Sequence, residues 1–483
     1  MGGLTWNVDV DWDNNATIDG GDEAPYMVDI NIKRGRRNMI RADGRGFEGI
    51  PAGVCKMTFD NTTGRFDPWN SDSALYPNIR RGRLLRVQAT DNDTSTTTTE
   101  FTGFIRDIVP KEGKEPRVVI TAYDGIQKLE AAKVTEYIRN DQNADDLFGY
   151  ILTAVSWTGG ASVENDDDAV PYWWPDTEKR AWEMLTEMAQ AWMGVCFIAV
   201  NGQFWFYARQ HSGAASATVT QSELLKTIQT PLPWDTVWNN IAVYANPRRV
   251  YSDQEIWRLT DIPLIPAGES RDYFCEYTYN GQAVPAQNVR DMVSTDDYTF
   301  NAQENGGGAD LTADLSPTLT KYGRFTYLVL ENTGGTDGYV TLAKIRGDPL
   351  VKNATRIERN DTTSQTDYGT TSLVLDYDWL QNADNAEDFA DFLKGVLSEP
   401  QPFPVVEVEA RPSLQFGNEL FDKWALTIAK KGIAGDFDIG GYEHQSLGEH
   451  CNACRSTFWL EPSLDDRYWI LTAVVGTSTI VGF

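Results

Sequence analysis

Apolar and polar positions alternate through the first quarter of the chain. Val28, Ile30 and Ile32, then Cys55, Met57 and Phe59, then Leu85, Val87 and Ala89, and later Val118, Ile120 and Ala122 occupy every second position, with an apolar-rich run at residues 101–109. A period of two puts alternate side chains on one face, which is the pattern of a half-buried strand. Five or six such strands with little helix predict a small β-barrel-like domain over residues 1–135. Asp124 then stands where it can cap a short helix running through Leu129.

The period changes at Ala144. Leu147, Ile151 and Ala154 share one helix face, and Ala181, Trp182, Leu185, Met188, Ala189 and Trp192 form a second apolar stripe, with Asp176 as its expected N-cap and Gly194 as its end. Residues 195–200 and 204–207 flank Asn201-Gly202, a strong hairpin signal. Residues 136–250 therefore read as an α/β unit. Strand patterns return at 262–265, 273–277, 325–330 and 339–345, so 251–350 reads as an all-β module inserted into that unit or following it. Residues 351–400 bring a strand and a helix (Ala386, Phe389, Ala390, Leu393, Val396, Leu397) back to the α/β unit, and Pro400-Gln401-Pro402 opens a final β domain, 401–483. The expected fold is multidomain and mainly β, with one α/β unit.

One stretch departs from simple patterning: residues 60–87, DNTTGRFDPWNSDSALYPNIRRGRLLRV, between two predicted strands. Asn61 to Gly64 offers a turn, Asp67-Pro68 and Tyr76-Pro77 disfavour helix, and Asn78 to Gly82 turns the chain again. A connection of this length usually has a function. Asp60, Asn61, Gly64, Arg65, Phe66, Pro68, Asn70, Leu75 to Arg80, Gly82, Arg83 and Arg86 together resemble the N-terminal domain of phage tail hub or minor tail proteins, with mild departures at Asp67 and Trp69. The run Thr457 to Pro462, followed by Tyr468-Trp469 and Ile480 to Phe483, is similar to the C-terminal signature of the same proteins.

That resemblance implies β-barrel or sandwich domains at both ends and a structural, non-enzymatic role at the tip of a phage tail. It also implies a homotrimer that closes the tail tube. Its partners would be the distal tail or tail tube ring protein, the tape measure protein and host-facing tail fibre or receptor-binding proteins, in a virion assembled in the host cytoplasm. Large aromatics and arginines on an ordered loop are common interface anchors, so Arg65, Phe66, Trp69, Tyr76, Arg80, Arg81, Arg83 and Arg86 are the expected contact residues. For Phe66, Trp69 and Tyr76 the competing role is to cover the domain's own core.

Composition narrows the field. A net charge of −28 over 483 residues argues against nucleic acid or an anionic membrane as the main partner. No apolar run approaches the roughly 20 residues of a membrane span, and no signal segment opens the sequence, so a protein soluble in the cytoplasm is expected. Five cysteines imply no disulfide framework, and Cys55, Cys196 and Cys275 in apolar runs are expected to be buried thiols.

Three clusters invite chemistry. Asp11, Asp13, Asn15, Asp19 and Asp22 fall at positions one, three, five, nine and twelve of a calcium-like loop, making Ca2+ the one candidate cofactor. Ala16 replaces the usual glycine, however, and no helices flank the loop. A solvated acidic turn is the alternative. His444, His450, Cys451 and Cys454 include a CxxC that could hold zinc, against the reading of a hairpin tip with two thiols. Lys33, Arg34, Arg36, Arg37, Arg41 and Arg45 form a basic group suited to an acidic neighbour or to a solvated face. No phosphate loop, GxSxG or HExxH is present, and His211 stands alone in a polar turn. With 16 Trp and 20 Tyr, a secreted-type glycan-binding or glycan-hydrolysing β protein is the alternative to a tail component.

Overall fold

The structure is a computed structural model that describes residues 3–18, 22–165, 169–175, 179–209, 211, 213–221, 227–231, 236–447 and 451–463. Six antiparallel strands open the chain: β1 (Leu4–Val10), β2 (Met27–Gly35), β3 (Val54–Asp60), β4 (Leu84–Asp91), β5 (Thr96–Lys111) and β6 (Arg117–Tyr123), in the spatial order 1-4-5-6-3-2. The alternation works as predicted. Met57 lies opposite Ile30 on one side and Ile120 on the other, and all three are buried.

The sheet does not end at β2. Strand Ile433–Leu447 pairs with it, Ile32 opposite His444, and continues through Ala453–Pro462 to Val405–Glu409. The two ends of the sequence thus share one sheet, and Phe416, Cys451 and Cys454 join the core of β1–β6. Pairing across β2 removes an edge that would otherwise offer free N–H and C=O groups to another chain.

Helices α1 (Ile126–Ala131), α2 (Ala144–Ala154) and α3 (Ala181–Ala191) follow. The residue flanking the start of α1 is Gly125, not Asp124, which one position earlier accepts from the Ile126 amide at 3.0 Å. The predicted stripe on α3 is buried, but the residue flanking its start is Arg180, not Asp176, which lies outside the described residues. The hairpin around Asn201-Gly202 forms between Val195–Ile198 and Phe204–Tyr207, with Gly202 at φ 85°. Strand Asn240–Ala245 pairs with both Thr355–Asn360 and Ser372–Asp376, so the residues between leave and return on neighbouring strands as an inserted module with its own core. Helix Ala383–Leu397, capped by the Asn382 side chain, packs Phe389, Leu393 and Val396 inward. A single apolar core connects the three helices, the hairpin and the C-terminal strands. Among the described residues no helix is long and apolar enough to cross a membrane.

Candidate interaction loop

The connection from β3 to β4 is built as a chain of turns. Gly64, Asp67, Asn70, Ser73 and Tyr76 each donate a backbone N–H to the carbonyl three residues earlier. Side chains lock the series: Asn61, itself buried, accepts from the Phe66 amide at 2.9 Å, and Asn70 donates to the Gly64 carbonyl at 3.0 Å. Gly64 sits at φ 67°, a left-handed conformation that glycine adopts without strain. Asn, Asp and Ser side chains here do the work that ladder bonds do in strands.

The eight expected contact residues divide into two groups. Phe66 is fully buried, with its ring 5.0 Å from Phe59 and 5.7 Å from Tyr26, so it is a core residue and not an exposed anchor. Arg65 forms two hydrogen bonds with buried Glu23, at 3.0 and 2.8 Å, and Arg86 reaches Asp9 at 2.9 Å. Both therefore have partners inside the chain. Arg83, half-buried, donates to the Asn78 carbonyl. Facing outward are Trp69, 89% exposed, Tyr76, 48% exposed, and the exposed Arg80 and Arg81. Alternation cannot separate these groups, because a turn series has no period.

The basic group at 33–45 suited either an acidic neighbour or a solvated face; Arg37, Arg41 and Arg45 are exposed, whereas Arg34 and Arg36 face inward. Arg34 is buried and donates to Tyr442 Oη at 2.7 Å, to Glu419 Oε1 at 2.7 Å and to the Ile198 carbonyl. Glu419 also accepts from the Val200 amide. One guanidinium thus ties β2, the hairpin and the C-terminal strands together. Arg36 makes two hydrogen bonds to Glu461, and Arg37 lies over Trp459. Nearby, burial pushes the Asp124 carboxyl up to about 7, despite its amide donors from Gly53 and Ile126 and the field of Arg34.

His211 is not alone, as the sequence suggested: its Nδ1 lies 2.6 Å from Glu164 and its ring stacks on Tyr207 at 3.7 Å. It lines a cavity of about 170 Å3 with Cys196. Burial pushes that thiol up to about 12, so Cys196 stays protonated and is a poor nucleophile.

In the acidic turn, Asp11 accepts from the Asn15 and Ala16 amides, Asp13 from Asn15, and Asp22 from the Val8 and Ala24 amides. Backbone amides of the turn and of β1, with the Asn15 side chain, donate to these carboxylates, and Asp19 lies outside the described residues. Cys451 and Cys454 are buried, and burial pushes the Cys454 thiol up to about 12. His444 Nδ1 engages Ser456 Oγ at 2.8 Å, while His450 lies outside the described residues. Among the described residues no three His, Cys, Asp or Glu side chains converge to hold a metal.

The arrangement defines a multidomain, mainly β protein with an α/β unit and one long ordered loop turned outward. No family model and no curated protein matches the chain. Solved structures do. The tail protein from Neisseria meningitidis MC58 superposes with a TM-score of 0.54 at 9% identity, covering 96% of this chain and 98% of that one. The 43 kDa tail protein of prophage MuSo2 from Shewanella oneidensis gives 0.51 at 9% identity, covering 95% and 98%. The chain has the fold of these tail proteins.

Proposed function

We propose that this chain is a structural subunit at the tip of a phage tail, one of three copies that close the end of the tail tube. The observation that carries the reading is that the fold match runs nearly end to end in both directions, 96% of this chain against 98% of the Neisseria tail protein. In this reading Trp69, Tyr76, Arg80 and Arg81 meet a neighbouring copy. Aromatics and arginines concentrate binding energy at interfaces, and a chain of net charge −28 offers those arginines many carboxylates. The distal tail or tube ring protein and the tape measure protein lie on one side, and host-facing fibre or receptor-binding proteins on the other. The subunit is a virion scaffold assembled in the host cytoplasm, and it catalyses no reaction.

Light scattering on the purified chain and electron microscopy of particles carrying a tagged copy test this. A salt-sensitive trimer and a label on the tail axis are expected. A chain that stays monomeric at high concentration and sits off the axis sinks the reading.

A further inference from the structure

The inserted module carries an aromatic face that the tail reading does not use. Strands Ser270–Glu276, Phe325–Asn332 and Leu315–Lys321 form a separate antiparallel sheet with Phe325–Asn332 in the middle. Its inner residues, including Cys275, Leu328 and Leu330, are fully buried. On the outer face Phe274 lies opposite Tyr327, their ring centroids 5.5 Å apart. Phe325 is 4.7 Å from Phe274, Tyr322 is 4.8 Å from Phe325, and Tyr137, arriving after α1, stacks on Tyr322 at 5.9 Å. Tyr137, Phe274 and Tyr327 are 60%, 55% and 49% exposed. Alternation would place polar side chains at these outer positions. Phe325 is itself buried and Tyr322 half-buried, so they link the three exposed rings into one patch, and such a patch marks a binding surface more often than isolated rings do.

We propose that this face binds a neutral glycan. Charge and hydrogen-bonding capacity select the ligand. At the outer positions of the sheet, Asp272 and Glu276 flank Phe274 along its strand, and Thr320 lies opposite Tyr327 on the other side. No outer position of the three strands carries a cation. Such a rim repels nucleic acid and anionic headgroups, and it accepts hydrogen bonds far better than it donates them. A sugar supplies what the rim lacks: hydroxyl donors for the carboxylates, and apolar C–H faces for the rings. Each ring is already held by a neighbour, so little side-chain freedom is lost on binding. The rival occupant is a basic peptide segment, which would bind through the carboxylates and be released by salt. The proposal rests on this face alone and does not depend on the tail reading.

Native affinity electrophoresis of the full chain tests it, with gels containing dextran, hydroxyethyl cellulose, galactomannan or glycol chitin. At least one polysaccharide should retard the chain, at low and high salt alike. Joint Phe274→Ala and Tyr327→Ala substitution should weaken that retardation about tenfold or more. Glu276→Gln should weaken it less. Tyr137→Ala, on a separate element, provides a variant that leaves the sheet untouched, and melting curves verify that each variant folds. Retardation in none of the gels, or retardation that folded variants leave unchanged, overturns the proposal. Low-salt capture of an oligolysine probe without any response to polysaccharide overturns it too.

Discussion

Two arginine-bearing connections leave the same N-terminal sheet, one after β2 and one after β3, and they finish on opposite sides of the problem. The arm at residues 36–50 turns inward. Arg36 pairs with Glu461, the Phe47 ring stacks on Phe389 with planes 3° apart, Gln190 donates to the Phe47 carbonyl, and Val374 donates to the Gly44 carbonyl. Gly44 has no room for a side chain, since a Cβ there would stand 2.7 Å from the Ser372 carbonyl oxygen. The loop at 60–87 is held by bonds within itself and to β1 and its neighbours, and leaves Trp69 in solvent. The difference teaches that an arginine-rich loop has no intrinsic destination. Where buried carboxylates and aromatic rings from distant segments stand opposite, as Glu419, Glu461 and Trp459 do, it becomes an internal clamp. Where nothing among the described residues stands opposite, its tip stays in solvent.

The contrast can be broken most forcefully at Arg34, beside the root of the arm. Arg34→Met leaves Glu419 buried without its partner, and a loss of roughly 3–5 kcal/mol in urea unfolding is expected. Adding Glu419→Leu should recover much of it, because an apolar pair carries no desolvation penalty. Phe47→Ala should cost less, about 1–2 kcal/mol for a half-buried ring, and should open residues 36–50 to limited proteolysis. A destabilised loop and an unaffected arm would reverse the comparison.

Asp124 sharpens the same junction through pH. Its carboxyl is raised from 3.8 to about 7, so the folded state holds the proton more tightly than the unfolded chain does. Its contribution to stability is therefore fully present below the unfolded pKa and is lost as pH rises through about 7. Asp124→Asn should remove that loss: relative to the parent, the variant gains stability between pH 5 and pH 8 in paired urea melts. A constant difference between the two proteins across that range would contradict the shift.

The smallest stability effects belong to the outward regions. Trp69→Ala with Arg81→Glu should leave the melting temperature nearly unchanged, within about 0.5 kcal/mol of the parent, while weakening self-association about tenfold or more in light scattering. For the acidic turn, whose described carboxylates are engaged by backbone amides, melting with excess calcium or with chelator should coincide. A calcium-dependent rise would make residues 11–22 a metal loop after all.

Local pattern alone determined much of this protein. Alternation at Met57, Ile30 and Ile120, the apolar stripe on α3 and the Asn201-Gly202 hairpin follow from short-range chemistry, because each depends on residues within one or two turns of the chain. The 60–87 wording also marked an ordered loop in advance, since its Asn, Gly, Pro and Ser residues dictate turns wherever they fall. Only tertiary structure decided which side chains of that loop stay outside. Phe66 and Arg65 went inward because Phe59, Tyr26 and Glu23 were there to receive them, whereas Trp69, three residues beyond Phe66, met nothing. The same reason explains Arg34, which looked like a surface cation and became the centre of a buried junction: its partner Glu419 is far away in sequence, and no window along the chain contains both. Burial and pairing are set by contacts between distant segments, and a sequence pattern reports only near ones.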